Sequence, residues 1–251
     1  MFTYKKIALP MILLTIVLLV SGCGGSAEPI TADTTGIWNH YFIFPLSWVL
    51  TSVANIFDGN YGLSIVLVTI MIRLALFPLT LKQTRSSKAM MALKPDMDAI
   101  KQKYSGKSKE EQQKMQLELV EVYKKHGINP VAGCLPLFIQ MPILLAFYYA
   151  IMRTEEIAAH TFLWFDLGQT DPLFLLPIIA ATTTYFQAKL SMKQGTEQFK
   201  LLIYIMPGMI LVAALAMPSA LALYWVVGNL FMIVQTYFLF IRNSEPIDVK
   251  A

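Results

Sequence analysis

Acidic and histidine side chains are missing from every long apolar stretch of this chain. Those stretches fall at 61–82, 131–152, 173–189, 201–217 and 219–241, and none holds an Asp, Glu or His. The absence is informative. A proton-coupled carrier usually keeps an intramembrane carboxylate, and intramembrane hydrolysis needs paired acids, a metal set or a His beside a nucleophile. Two cysteines in the whole chain give no disulfide framework, zinc site or iron–sulfur cluster. No Gly-rich phosphate-binding loop occurs, since Gly22, Gly24 and Gly25 gather beside Cys23 near the N-terminus. Neither an enzyme nor a bound cofactor is expected. Charge is scarce overall, at 14% of residues against 56% hydrophobic, with a mean hydropathy of +0.55. This is the composition of a membrane protein.

Against that background Arg73 stands out. It lies in YGLSIVLVTIMIRLALFPLTL, residues 61–81, which has no other charge and is long enough to cross a bilayer core. Arginine stays protonated, and one at mid-helix costs about 2.5–3.5 kcal/mol on insertion scales. Such residues face a bundle interior or a water-filled cavity, which makes Arg73 a candidate functional residue.

The N-terminus reads as a processing segment. Lys5 and Lys6 precede an apolar run that ends in Val20, Ser21, Gly22 and Cys23. A basic start, a short apolar core and small residues form a secretory signal. Residues 1–22 are expected to be removed and Cys23 to be lipidated, as in a bacterial lipobox; a retained helix with an incidental Cys is the plainer alternative. Residues 23–60 then form an extracytoplasmic segment. Its aromatic part, IWNHYFIFPLSWVLTSVANIF, suits an outer-surface interfacial helix, with a further span as the alternative.

Positive charge orients the five spans. Residues 82–125 carry eleven Lys or Arg, whereas the connection 153–172 has Arg153 against Glu155, Glu156, Asp166 and Asp171. The connection 190–200 and the tail 242–251 are again basic, with Lys193, Lys200, Arg242 and Lys250. The expected topology is an outside N-terminus and a cytoplasmic C-terminus. Prolines such as Pro78, Pro142 and Pro207 lie in the spans, where they bend helices.

The connection 83–130 reads as an antiparallel helical hairpin. Met90, Leu93, Met97, Ile100 and Tyr104 form one apolar stripe, kinked or delayed at Pro95. Ser108 and Glu111 read as a capping box ahead of a second stripe of Met115, Leu119 and Val122, which Gly127 and Pro130 end. Its basic face, including Lys101, Lys103, Lys107, Lys109 and Lys114, is either a topology signal alone or a docking surface for acidic partners or lipid headgroups.

Arg73 precedes Lys82 by nine residues, roughly 13 Å along a helix, and its side chain leans away from that end. No acidic partner is available in the spans, but neutral polar residues are: Thr69, Thr80, Gln140, Thr182, Thr183, Thr184, Gln187, Asn229, Gln235 and Thr236. A cation among amides and hydroxyls implies water. The expectation is a hydrated, positively charged cavity nearer the cytoplasm, the alternative being an arginine satisfied by backbone carbonyls at a kink. An anion site at Arg73 in a small-solute transporter or channel subunit would use the same residue.

Together these segments resemble the YidC/Oxa family of membrane protein insertases, in its Gram-positive form. The resemblance rests on NYGLSIVLVTIMIRLALFPLT, RSSKAMMALKPDM, HGINPVAGCLPLFIQMPILLAFYYAI, FLWFDLGQTDP and ALYWVVGNLFMIVQT. It implies an all-α polytopic membrane protein, five spans around a hydrophilic groove, with the cytoplasmic hairpin and the interfacial helix appended. It implies Arg73 as the groove arginine and Gln140, Gln187, Trp225 and Gln235 as groove lining. Implied partners are nascent membrane proteins, membrane lipids, the ribosome, a targeting receptor and the Sec translocon, with no nucleic-acid recognition and no small-molecule substrate. The tail RNSEPIDVKA is short, which weakens the case for tail-mediated ribosome anchoring.

Overall fold

The computed structural model describes residues 28–104, 108–127, 135–191 and 197–238. Cys23, Lys107, the signal segment 1–22 and the tail 242–251 lie outside the described residues. The described chain is mostly helical. A π-helical turn, Asn39–Ile43, leads into α1 (Phe44–Ile56), followed by α2 (Tyr61–Ala75), α3 (Phe77–Ala92), α4 (Lys94–Lys103) and α5 (Lys109–Lys125). Then come α6 (Leu135–Met152), the short α7 (Glu155–Ala158), strands β1 (Thr161–Phe162) and β2 (Phe165–Asp166), α8 (Leu175–Ser191), α9 (Glu197–Ala216) and α10 (Ser219–Thr236). The strands form an antiparallel ribbon, Thr161 opposite Asp166 and Phe162 opposite Phe165, a small β element that the all-α expectation does not include.

The apolar run 61–82 is not one straight helix. It breaks at Leu76, and α2 and the Phe77–Thr84 part of α3 meet at 55°. The cause is Pro78, which cannot donate to Leu74 and disfavours helical backbone at the residue before it. In the first turn of α3 the missing N–H costs nothing, and Thr80 Oγ1 donates to the Leu76 carbonyl at 3.0 Å. Among the described residues α10 is the one helix that by itself is long and apolar enough to cross a membrane; α2 with the start of α3 makes a second if the bent pair counts as one span.

The core sits at the end of the bundle covered by residues 153–172, hereafter the loop end. Ile43, Leu50 and Ala54, then Ile65 and Val68, Phe147 and Ile151, Ile157, Phe165 and Leu167, and Leu221 and Tyr224 form one buried cluster there. Burying a side chain of this size stabilises by about 1.5–3 kcal/mol. Ser219 fastens α10 to the loop, its N–H donating to Gln169 O at 2.7 Å and its Oγ to the same carbonyl at 2.8 Å. Asp171, buried, accepts from Leu176 N (2.7 Å), Leu173 N (3.0 Å) and Trp164 Nε1 (3.1 Å), capping the start of α8. Gly62 leaves room for the Phe162 ring, since a Cβ there would lie 2.0 Å from Phe162 Cγ.

Arg153 closes the same end. It is buried, with Nε donating to Glu28 O at 2.9 Å and Nη1 to Asn39 Oδ1 at 2.9 Å, while Ile30 N donates to Arg153 O at 2.9 Å. These bonds hold the segment after residue 27 on the end of α6. The π-helical turn and α1 pack Ile43, Ser47, Leu50 and Ala54 inward and leave Tyr41, Phe42 and Trp48 exposed. Ser64 Oγ donates to Leu50 O at 2.6 Å, pinning α1 to α2.

Helices α4 and α5 pack as an antiparallel pair. Lys103 Nζ pairs with Glu118 Oε1 at 2.9 Å and, farther along, Tyr123 Oη lies 3.3 Å from Met97 Sδ. Ser108 Oγ accepts from Glu111 N at 3.2 Å and so caps α5. The stripe read from Met90 to Tyr104 is divided between two helices, because Pro95 starts α4 in its first turn.

Candidate functional site

Three helices bring the polar groups together. On α2, Ile65, Thr69 and Arg73 are spaced by four and share a face. Thr69, fully buried, donates Oγ1 to Ile65 O at 2.6 Å, so its hydroxyl is spent within the helix. Arg73 is half-buried, past the last buried position of α2. Across from it on α10 is Gly228, where a Cβ would lie 2.7 Å from Arg73 Nη2 and 3.3 Å from Nε. The guanidinium therefore turns its Nε and Nη2 edge toward the α10 backbone at Gly228.

One turn before Gly228 on α10, Tyr224 sits within the electrostatic reach of Arg73 and accepts at Oη from Gln140 Nε2 of α6 at 2.6 Å. Gln140, expected in the groove like Arg73, thus bonds to a tyrosine one turn from the glycine that Arg73 approaches. Among the described residues no carboxylate comes within ion-pair distance of Arg73.

The remaining groove candidates are placed differently. Gln235, buried, lines a recess of about 280 Å³ with Leu74, Phe77, Phe231, Val234 and Phe238, where α2 breaks into α3. Trp225 packs half-buried on the core cluster. Gln187 donates Nε2 to Ser191 Oγ at 3.1 Å on its own helix. Asn229 ties α10 to α8, its Nδ2 donating to Thr184 Oγ1 at 2.7 Å and Thr183 Oγ1 at 3.3 Å. Tyr224 and Gly228 were not picked out by sequence, although a small residue in an apolar helix is a signal for close approach.

On the helical pair, Lys109 and Lys114 are exposed and Lys101 is half-buried. Lys103 is engaged by Glu118, whose hydrogen bond raises the lysine above its ordinary pKa; that bond and a second to Tyr104 hold the Glu118 carboxyl below its usual value.

Comparison with known proteins follows this geometry. The model for the 60Kd inner membrane protein family matches residues 52–245. The membrane protein insertase YidC of Alkalihalophilus pseudofirmus is 57% identical over 244 residues, 96% of this chain and 97% of that one. The chain belongs to the YidC/Oxa insertase family. The membrane protein insertase MisCA of Bacillus subtilis is 50% identical, covering 98% of this chain and 97% of that one. A crystal structure of an active YidC insertase with its first transmembrane domain matches at a TM-score of 0.65 and 28% identity, over 81% of this chain. The chain spans about half the length of that protein, 47% of it.

Proposed function

We propose that this YidC/Oxa chain is a non-enzymatic membrane protein insertase that receives nascent chains in a hydrated groove at Arg73. The reading rests on the half-buried arginine, which among the described residues has no carboxylate within ion-pair distance, and on a hydrophobic core gathered toward the loop end. In this reading five spans cross the membrane at 61–82, 131–152, 173–189, 201–217 and 219–241. The loop end faces outside, and the α4–α5 pair faces the cytoplasm. Cys23 carries the lipid anchor, and Gln140, Gln187, Trp225 and Gln235 line the groove.

The mechanism is physical. A single-span or hairpin substrate meets the basic pair, where Lys101, Lys103, Lys107, Lys109 and Lys114 offer a surface to acidic segments, the ribosome or a targeting receptor. Its short outward-going part enters the groove. An acidic residue costs about 2.5–3.5 kcal/mol at the membrane centre, and a guanidinium 4 Å away returns about 4 kcal/mol at an effective dielectric of 20. The two are of one size, so the tail enters without being trapped. The apolar segment then partitions into lipid, which completes insertion. The chain acts alone or beside the Sec translocon.

The test uses purified protein in liposomes, given a single-span substrate with an acidic N-tail. Expected is protease protection of the tail that needs the protein but no nucleotide, falls with Arg73→Ala and persists with Arg73→Lys. Equal protection by the Ala, Lys and Glu variants would defeat the electrostatic account. Solute flux without tail protection would defeat the insertase reading.

A further inference from the structure

A second recess opens on the far side of the bundle, between α8 and α9. It is about 370 Å³ in volume, and Thr182, Tyr185, Phe186, Tyr204, Pro207 and Gly208 are among its walls. Its origin is local. Pro207 withholds an N–H inside α9, and Gly208 withholds a side chain: a Cβ there would meet nothing within 4 Å. The gap they leave runs along the helices rather than into the core.

One end of this gap is built for charge. Tyr185 and Tyr204 face each other with ring centroids 6.1 Å apart, and Lys189 Nζ stands 5.6 Å from the Tyr185 ring centroid. Among the described residues neither tyrosine hydroxyl has a hydrogen-bond partner and Lys189 has no ion pair. Two tyrosines of the wall and an exposed ammonium just beyond it, over the Tyr185 ring, therefore stand at one end of the recess. From that end the wall descends to Thr182, seven residues before Lys189, or about 10 Å down the helix. The far end carries no charge.

We infer that this recess holds one anionic phospholipid, its headgroup phosphate at Lys189, Tyr185 and Tyr204 and an acyl chain laid along Pro207 and Gly208. The charge is complementary, since the rim is cationic and hydrogen-bond donating. The shape decides against a peptide: a transmembrane helix is about 10–12 Å across, whereas a recess of this volume takes a chain. Aromatic rims and basic residues at one depth are the arrangement that meets headgroups. A lipid held here would brace α8 against α9 on the side away from Arg73. The inference uses the proposed span assignment but not the insertase activity, so the two fail separately.

The test is native mass spectrometry of the full chain, delipidated in mild detergent and titrated with phosphatidylglycerol or phosphatidylcholine of matched chains. Expected is one phosphatidylglycerol retained about fivefold better than phosphatidylcholine, the contribution of a single basic side chain at an anionic surface. Lys189→Gln should bring the two lipids within about twofold, whereas Lys82→Gln, at an exposed position on another helix, should leave the preference intact. Gly208→Leu, filling the gap, should lower retention of both lipids; if it does not fold, Gly208→Ala, which fills less of the gap, provides the weaker version of the same test. A photoreactive residue at Thr182 should capture lipid. Equal retention of the two lipids by the wild type, a preference that survives Lys189→Gln, or capture at Thr182 of a substrate segment or a second copy of the chain would each overturn it.

Discussion

Gly228 gives Arg73 its resting place: a methyl group at 228 would come within 2.7 Å of Nη2. The clash would fall on the free end of a flexible side chain, so the guanidinium can swing aside at little cost to the fold. Gly228→Ala is expected to shift thermal stability by less than about 0.5 kcal/mol while lowering insertion of substrates with acidic tails. In an Arg73→Lys background the same substitution should do nothing further, because no guanidinium is left to displace. Protease protection of the tail in liposomes, measured for the four combinations, checks this.

The Gln140–Tyr224 hydrogen bond, at 2.6 Å, joins α6 to α10 beside the arginine. Tyr224 is almost wholly buried, while Gln140 is only half so. Tyr224→Phe should cost about 0.5–1.5 kcal/mol, water in the groove supplying part of what Gln140 loses. Adding Gln140→Leu should cost less than the sum of the single changes, since neither partner is then stranded. Unfolding in detergent, followed through the four-member cycle, gives the coupling directly.

How much of this could be read from sequence depends on contrast. Arg73 and Gln140 are legible because a charge or an amide stands out in an apolar run and must be accounted for. Ser108 is equally plain, as its cap depends on residues three apart. Tyr224 is not legible: a tyrosine in a membrane helix reads the same whether it anchors an interface or bonds in the interior. Pro78 announces the bend at Leu76, but its size is not legible, because the apolar pattern runs on through the proline without a change in composition. Arg153 is hidden for the opposite reason. A lone arginine in a loop reads as solvent-exposed, and only folding brings Glu28 and Asn39, more than a hundred residues away, onto its two donor groups.

Arg153 is expected to control how firmly the N-terminal segment is held. Its removal leaves the half-buried Asn39 side chain and the Glu28 carbonyl, both within reach of water, without their donor, at about 0.5–1.5 kcal/mol for each bond. Arg153→Lys should rescue little, because an ammonium cannot serve two acceptors in the fork geometry that the guanidinium provides. Hydrogen exchange over residues 28–39 should quicken in both variants, with α8 and α10 unchanged. Unaltered exchange there would mean that Ile30 and its apolar contacts hold the segment without the arginine.

The Lys103–Glu118 pair gives the α4–α5 unit a predictable response to pH. The Glu118 carboxyl is held below its usual value, first by Lys103 and then by Tyr104. A depressed acid stabilises above its unfolded pKa, near 4.3, and loses that contribution as pH falls through the folded value. Lys103 is raised, chiefly by Glu118, so its share is complete below the unfolded lysine value, near 10.4, and is lost as pH rises through the folded one. Between those limits the pairing should not vary with pH. Both groups are solvent-accessible, so the effect is small and salt-sensitive. A distance probe between α4 and α5, read at low ionic strength, should report a flat plateau through neutrality with loosening in acid. Glu118→Gln should abolish the acid limb while leaving the Ser108 cap and the Met97–Tyr123 contact in place, and an acid limb that persists in that variant would locate the titrating group elsewhere.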